Sequence, residues 1–308
     1  MATANTIDLS LLPAPDVVEP LDYEQLLEVR KARIIALFAA EDRDAVRAAL
    51  ALESEPMAIL TQENVERELI VRQRVNEAAR AVLLAFARRT DLDHIAAEYG
   101  VVRLVITPAD NSTVPPTPAV MEMDEDLRYR AQLAWEGLST AGPSGAYEFH
   151  TRSAHGLIAD ATAISPEPCD ILVSVLSREG DGTASDAVLT AVQRALSDED
   201  VRPLGDRVTV QSSHITTYSV VARLHLAGSG PGRDIAVAAA QAACEQYVNR
   251  PRRQGISVWR TAITAALHVE GVAHLELIEP AADIVLDRTQ AGTCLAVTVT
   301  VAGEDDDA

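Results

Sequence analysis

The chain has 308 residues, of which 48% are hydrophobic and 23% charged, and its formal net charge is −20. This length leaves room for two or three domains, each with a core of its own. The excess of acid repels phosphate backbones and anionic lipid, which makes nucleic acid and membrane surfaces poor general partners. No apolar run approaches the ~20 residues of a membrane span. Met1–Ser10 lacks the basic start and apolar stretch of a secretory leader, so the chain is expected to begin its life in a cytoplasm.

Residues 21–100 read as helices. Asp22 is placed to cap a helix with Gln25 at its third position, and Leu26, Val29, Ile34 and Leu37 carry an apolar stripe to about Phe38. A shorter helix is expected from about Arg43 to Leu52. Pro56 then suits the first turn of a helix running from about Met57 to Arg89 without internal Gly or Pro. Such a helix would be about 50 Å long. Val71, Val75, Ala78, Val82 and Phe86 fall at spacings of four, three, four and four, a coiled-coil-like seam beside Leu69. Glu63–Arg67 and Glu68–Arg72 are oriented for i,i+4 pairing. The seam fits either packing against the chain's own neighbouring helices or a bundle with another chain. Asp91 is read as the cap of a short helix ended by Gly100, followed by a strand over Val101–Thr107.

Pro108, Pro115, Pro116 and Pro118 mark a stiff, extended connection at residues 108–123, or else a wide surface loop. Helices are expected from about Asp124 to Leu138 and from Pro143 to about Ala154. Strands at Ile158–Ile164 and Ile171–Leu176, a helix from Ala184 to Leu196 and a strand at Arg207–Gln211 then give a β-β-α-β module. A second module follows. Its long strand, Ile215–Leu226, sets Tyr218, Val220, Ala222, Leu224 and Leu226 on one face. Helices at Asp234–Asn249 and Ser257–His268 come next, then strands at Val272–Ile278 and Cys294–Val301. The expected fold class is α+β: a helical front (1–107), a Pro-rich linker (108–123) and two small α+β modules (124–213 and 214–308).

Residues able to carry chemistry are sparse. Cys169, Cys244 and Cys294 are odd in number and far apart, and they read as reduced, inert, partly buried thiols. The seven histidines form no HExxH motif, and His150 and His155 lie off one another's helical face. Gly228-Ser229-Gly230-Pro231-Gly232 sits between a strand and a helix, as a phosphate loop does, but lacks the Lys-Ser or Lys-Thr that follows one. A nucleotide- or ligand-binding protein using that loop is the alternative reading. Asp181-Gly182-Thr183 has too few oxygen ligands nearby for calcium. No GxSxG, no CxxC and no framed carboxylate pair appears, so no catalytic, cofactor or metal residue is assigned and no enzyme is expected.

Several separated stretches are similar to the baseplate J-like family of contractile-tailed phages and phage-tail-like particles. They are Asp8–Pro15, Leu50–Pro56, Arg72–Arg80, Thr140–Tyr147, Gly180–Thr183 and Val201–Val208, in one order from about residue 8 to 280. The resemblance implies a structural wedge subunit of a sixfold baseplate. It implies pairing with other copies of itself and with a neighbouring tail protein I-type subunit, and contacts to further baseplate, hub and sheath-initiating proteins. In that picture the helical front joins a bundle, the back modules link wedges around the hub, and ring opening helps relay the contraction signal. The seam residues Leu69, Val71, Val75, Ala78, Val82 and Phe86 become interface candidates. The implied location is the baseplate of the virion tail or of a phage-tail-like particle, after assembly in the host bacterial cytoplasm.

Overall fold

The Asp22 carboxylate accepts the Gln25 backbone N–H at 3.0 Å and so caps the first helix, α1 (Tyr23–Leu37). The computed structural model that shows this cap describes residues 7–139, 143–198, 201–227, 232–250 and 252–302. It divides into two units, Ile7–Glu98 and a second that comprises Tyr99–Ala308.

In the first unit α1 is followed by α2 (Arg43–Leu50), α3 (Pro56–Ala81) and α4 (Arg89–Glu98). Val46, Leu50 and Ala58 form a small core against which Ile34, Ile35 and Met57 pack. Pro56 occupies the first turn of α3. The helix stops well short of Arg89: its 26 residues give it a length of about 39 Å. No Gly or Pro ends it. Instead Leu83 N–H bonds back to Arg80 O, and Phe86 and Ala87 N–H bond to Leu83 O, turning the chain so that Ala87 is buried. Tertiary packing overrides helix propensity here. Arg89 enters α4 at φ 51°, so Asp91 sits in the first turn rather than at the cap.

The second unit opens with a hairpin. β1 (Val105–Thr107) pairs antiparallel with β2 (Val120–Met121), and Asp110 bridges Thr117 between them. The proline-rich stretch therefore folds back on itself and is not an extended run. After α5 (Asp124–Gly137) and α6 (Ser144–Ala154) come β3 (Ile158–Glu167), β4 (Asp170–Ser177), α7 (Asp186–Leu196) and β5 (Arg207–Ser212). The central strand, β4, pairs antiparallel with β3 and parallel with β5. Its continuous apolar run fits that place, with Val173, Val175 and Leu176 fully buried. α6 and α7 close the core through Tyr147, Val188, Val192 and Leu196.

A separate three-stranded sheet follows, with β6 (His214–Leu226) between β7 (Val272–Glu279) and β8 (Gln290–Val301). Helices α8 (Gly232–Val248) and α9 (Arg260–Leu267) back it. Val220, Ala222 and Leu224 are fully buried on the face that alternation selects, with Tyr218 and Leu226 packed at its ends. The architecture is mixed α+β, in two sheet-and-helix modules that do not share a sheet.

A set of buried ion pairs helps tie the two modules together. Asp160 on β3 pairs with Arg152 and Arg253 and accepts the Gln254 backbone N–H at 2.8 Å. Asp126 takes Arg178 at 2.6 Å and Arg253 at 3.4 Å. Glu148 takes Arg288 at 2.5 Å, and the guanidiniums of Arg152 and Arg253 lie 4.5 and 4.7 Å from the ring centre of Tyr129. Burial, and then the adjacent Arg253, pull Arg152 down to about 10, so it keeps its charge at neutral pH.

Two expectations about the thiols separate. Cys244 is buried, and burial pushes its thiol up to about 11. Cys169 is exposed rather than partly buried. It lies at φ 66° in the turn between β3 and β4, which carries it away from the core.

Candidate assembly interface

Helix α3 turns two unlike faces to its surroundings. Ala58, Thr61 and Val65 begin the inward face and are buried. Three and four residues on, the same face becomes polar, through Glu68, Arg72 and Asn76. Asn76 exchanges two bonds with the Glu19 backbone, accepting from N–H at 3.1 Å and donating to the carbonyl at 2.8 Å. Glu68 accepts from Arg30 Nε at 2.7 Å and from Arg72 Nη2 at 2.9 Å, and those two arginines hold its carboxyl below the usual range. Arg72 also reaches Glu19 at 2.6 Å.

The apolar residues lie elsewhere on the helix. Leu60, Val71, Val75 and Val82 are 63%, 63%, 52% and 72% exposed, with Ala78 exposed among them. At 100° per residue this stripe sits about a quarter turn from the inward face. Ile59 and Ile70 are exposed on a separate line about a third of a turn further round, beyond Glu63, Arg67 and Arg74. The rim is charged, with Glu63–Arg67 at 3.7 Å and Arg74–Glu77 at 3.2 Å. A line of aliphatic side chains left in water along one helix makes this face the candidate contact surface.

Of the seam residues, the structure brings Val71, Val75, Ala78 and Val82 together and leaves two out. Leu69 is half-buried beside the inward face. Phe86 is half-buried in the turn after α3 has ended. Leu60 belongs to the stripe, and its spacing of three helical turns from Val71 is the signal that would have found it.

Other candidate groups fare differently. His150 Nε2 lies 3.3 Å from the Gly137 carbonyl, and burial holds the ring below the ordinary histidine value. His225 and His274 face each other across β6 and β7 with ring centres 5.3 Å apart. Among the described residues no group of three or more His, Cys, Asp or Glu is placed to hold a metal ion. No described helix is long and apolar enough to cross a membrane. Residues 228–231 of the glycine-rich loop lie outside the described residues, as do 140–142 of the expected helix break and the acidic run Glu304–Asp307.

Three models of one family match along the chain in order. They are the baseplate J-like N-terminal domain at residues 53–110, the central domain at 139–212 and the C-terminal domain at 218–300. The chain is also 54% identical over 300 residues to "Baseplate protein J" of Escherichia phage P2, covering 97% of this chain and 99% of that protein. The chain belongs to the baseplate J-like family. It is a structural protein of a phage tail baseplate. The central J-like domain takes in α6 and the sheet β3-β4-β5, the C-terminal one nearly all of the sheet β7-β6-β8, and the N-terminal one the whole of α3. A more distant likeness is to a chain of the "Cryo-EM structure of the anti-feeding prophage (AFP) baseplate, 6-fold symmetrised". Its TM-score is 0.38 at 16% identity, over 58% of this chain and 44% of that one.

Proposed function

We propose that the chain is a wedge subunit of a contractile tail's baseplate, and that α3 enters a helical bundle with a neighbouring subunit. The observation carrying this reading is the exposed aliphatic stripe of α3 over a polar inward face. Within its own unit the helix packs through Ala58, Thr61 and Val65 and turns Glu68, Arg72 and Asn76 to Arg30 and Glu19, which leaves Val71, Val75, Ala78 and Val82 for another chain. A tail protein I-type subunit and further copies of this chain are the partners this reading names, with hub and sheath-initiating proteins beyond them. The working division is a bundle region at 1–107, a connection at 108–123 and ring-forming modules at 124–213 and 214–308. Interface energy would hold one arrangement of wedges until host contact releases it toward the sheath. Assembly would take place in the host bacterial cytoplasm.

The test is co-expression with the I-type neighbour. The triple variant V71D/V75D/V82D, made at exposed positions, is expected to melt as the parent chain does and to lose the complex on gel filtration. A complex that survives the three aspartates, or a parent chain that stays monomeric both alone and with that neighbour, would sink the reading.

A further inference from the structure

A small cavity of about 120 Å³ opens beside β6 and the end of α8, lined by Tyr218, Tyr247, Arg250, Arg252, Arg253 and Gly292 among others. Its volume suits a carboxylate-sized group, since a water occupies about 30 Å³. The three arginines are not equivalent. Arg253 is committed to Asp126 and Asp160 at the module junction. Arg250 is exposed and stacks its guanidinium on Tyr247, 4.6 Å from the ring centre. Arg252 donates one bond, to the Gly180 carbonyl at 3.0 Å, and lies within electrostatic reach of Asp181. Among the described residues no carboxylate pairs with Arg250 or Arg252 in hydrogen-bond contact. In a chain of −20 net charge, two arginines without a carboxylate in contact beside a cavity offer a site to an anion from outside.

We propose that this pocket receives the acidic run Glu304-Asp305-Asp306-Asp307 of another copy of the chain. Charge complementarity selects the run: it is the densest acidic stretch in the sequence, and it follows β8 directly. Reach selects the other copy. Gly292 lines the pocket near the start of β8, and Val301 ends that strand nine residues further on, about 30 Å away. Asp307 lies six residues past Val301 and can return at most about 20 Å. A chain's own acids would span that gap only with backbone and side chains at nearly full extension, an ordering cost that another copy's acids do not carry. Pocket and tail are different surfaces, so two copies can exchange tails reciprocally in a closed two-fold pair or pass them head to tail into a ring. The proposal rests on the reading of the chain as a subunit present in several copies, but it uses no residue of α3.

The test employs the full chain carrying E304Q/D305N/D306N/D307N, so that no tail competes, and a fluorescein-labelled peptide of residues 301–308. Anisotropy titrations at low salt are expected to show binding that weakens with added salt. R250E/R252E should weaken it about tenfold, a loss of about 1.4 kcal/mol. R250Q/R252Q, which adds no repulsion, should lose less. V71D/V75D/V82D should bind as the parent does, so failure of the bundle reading and failure of this one are told apart. No binding by the parent, binding unchanged by R250E/R252E, or an equal loss from R67E/R74E on α3 would overturn the proposal.

Discussion

The front and back of the molecule use the same residue types in opposite places. In the back unit, Val173, Leu176, Leu224 and Ile263 are fully buried inside sheets backed by helices, and ionic groups gather where the two modules meet. In the front unit the longest helix turns Glu68, Arg72 and Asn76 inward and leaves Leu60, Val71, Val75 and Val82 in water. The back buries the inner faces of two sheets within one chain, with Trp135, Ile235 and Leu295 among the apolar residues it leaves exposed, whereas the front exposes a row of aliphatic residues along a single helix. Under the proposed reading, the stability of the front depends on concentration and on what covers that row.

The largest effect that would sharpen this contrast is expected at the ion pair of Glu122 and Arg130. Arg130 Nε and Nη2 donate to the two Glu122 oxygens at 2.8 and 2.7 Å, and the side chains are 2% and 5% exposed. Arg130→Ala strands a buried carboxylate and should cost about 3–5 kcal/mol in urea unfolding of the free chain. Arg72→Ala, at the 41%-exposed arginine of the front network, should leave the midpoint nearly unmoved. A comparable loss from both variants would break the distinction. Smaller, and decided by packing alone, is the pair Ile263→Val and Ile70→Val. Removing one methylene from the fully buried Ile263 should cost about 1 kcal/mol. At the 61%-exposed Ile70 the same change should be silent until α3 is covered by a partner.

How far the sequence foretold this division depends on the element. Strand β6 could be read residue by residue, because period-two alternation survives folding unchanged and Val220, Ala222 and Leu224 are buried as the pattern requires. The centrality of β4 followed from an unbroken apolar run. The end of α3 was illegible, since nothing in residues 82–88 forbids a helix and only the burial of Ala87 turns the chain. That early end is also why Phe86 drops out of the stripe. The direction in which the seam faces could not be read either. An apolar stripe has the same period whether its own chain or another covers it, and the choice is made by Glu19 and Arg30, remote in sequence, holding the polar face inward. Pairs such as Glu148–Arg288 carry no spacing signal at all.

The smallest expected effect is a pH dependence of opposite sign in the two regions. Glu68 is held below the ordinary carboxylate value by hydrogen bonds from Arg30 and Arg72. The unfolded chain protonates it first, so its contribution is present above the ordinary value and is lost as pH falls through the lowered one. Glu148 is shifted the other way: burial raises it, against the pull of Arg288 and the Ala163 amide. The folded chain takes up that proton first, so the carboxylate costs stability at neutral pH. The cost is relieved as pH falls through the raised value toward the ordinary one. Acidification from the raised value to the ordinary one should therefore increase hydrogen-exchange protection factors in α6 and β3 through Glu148, and acidification below the ordinary value should then reduce them in α1 and α3 through Glu68. Glu68→Gln and Glu148→Gln should each flatten the response of their own region alone. Protection factors that move in the same direction in both regions would mean that the charges at the module junction respond to acid as those of the front network do, and the contrast between back and front would lose its electrostatic half.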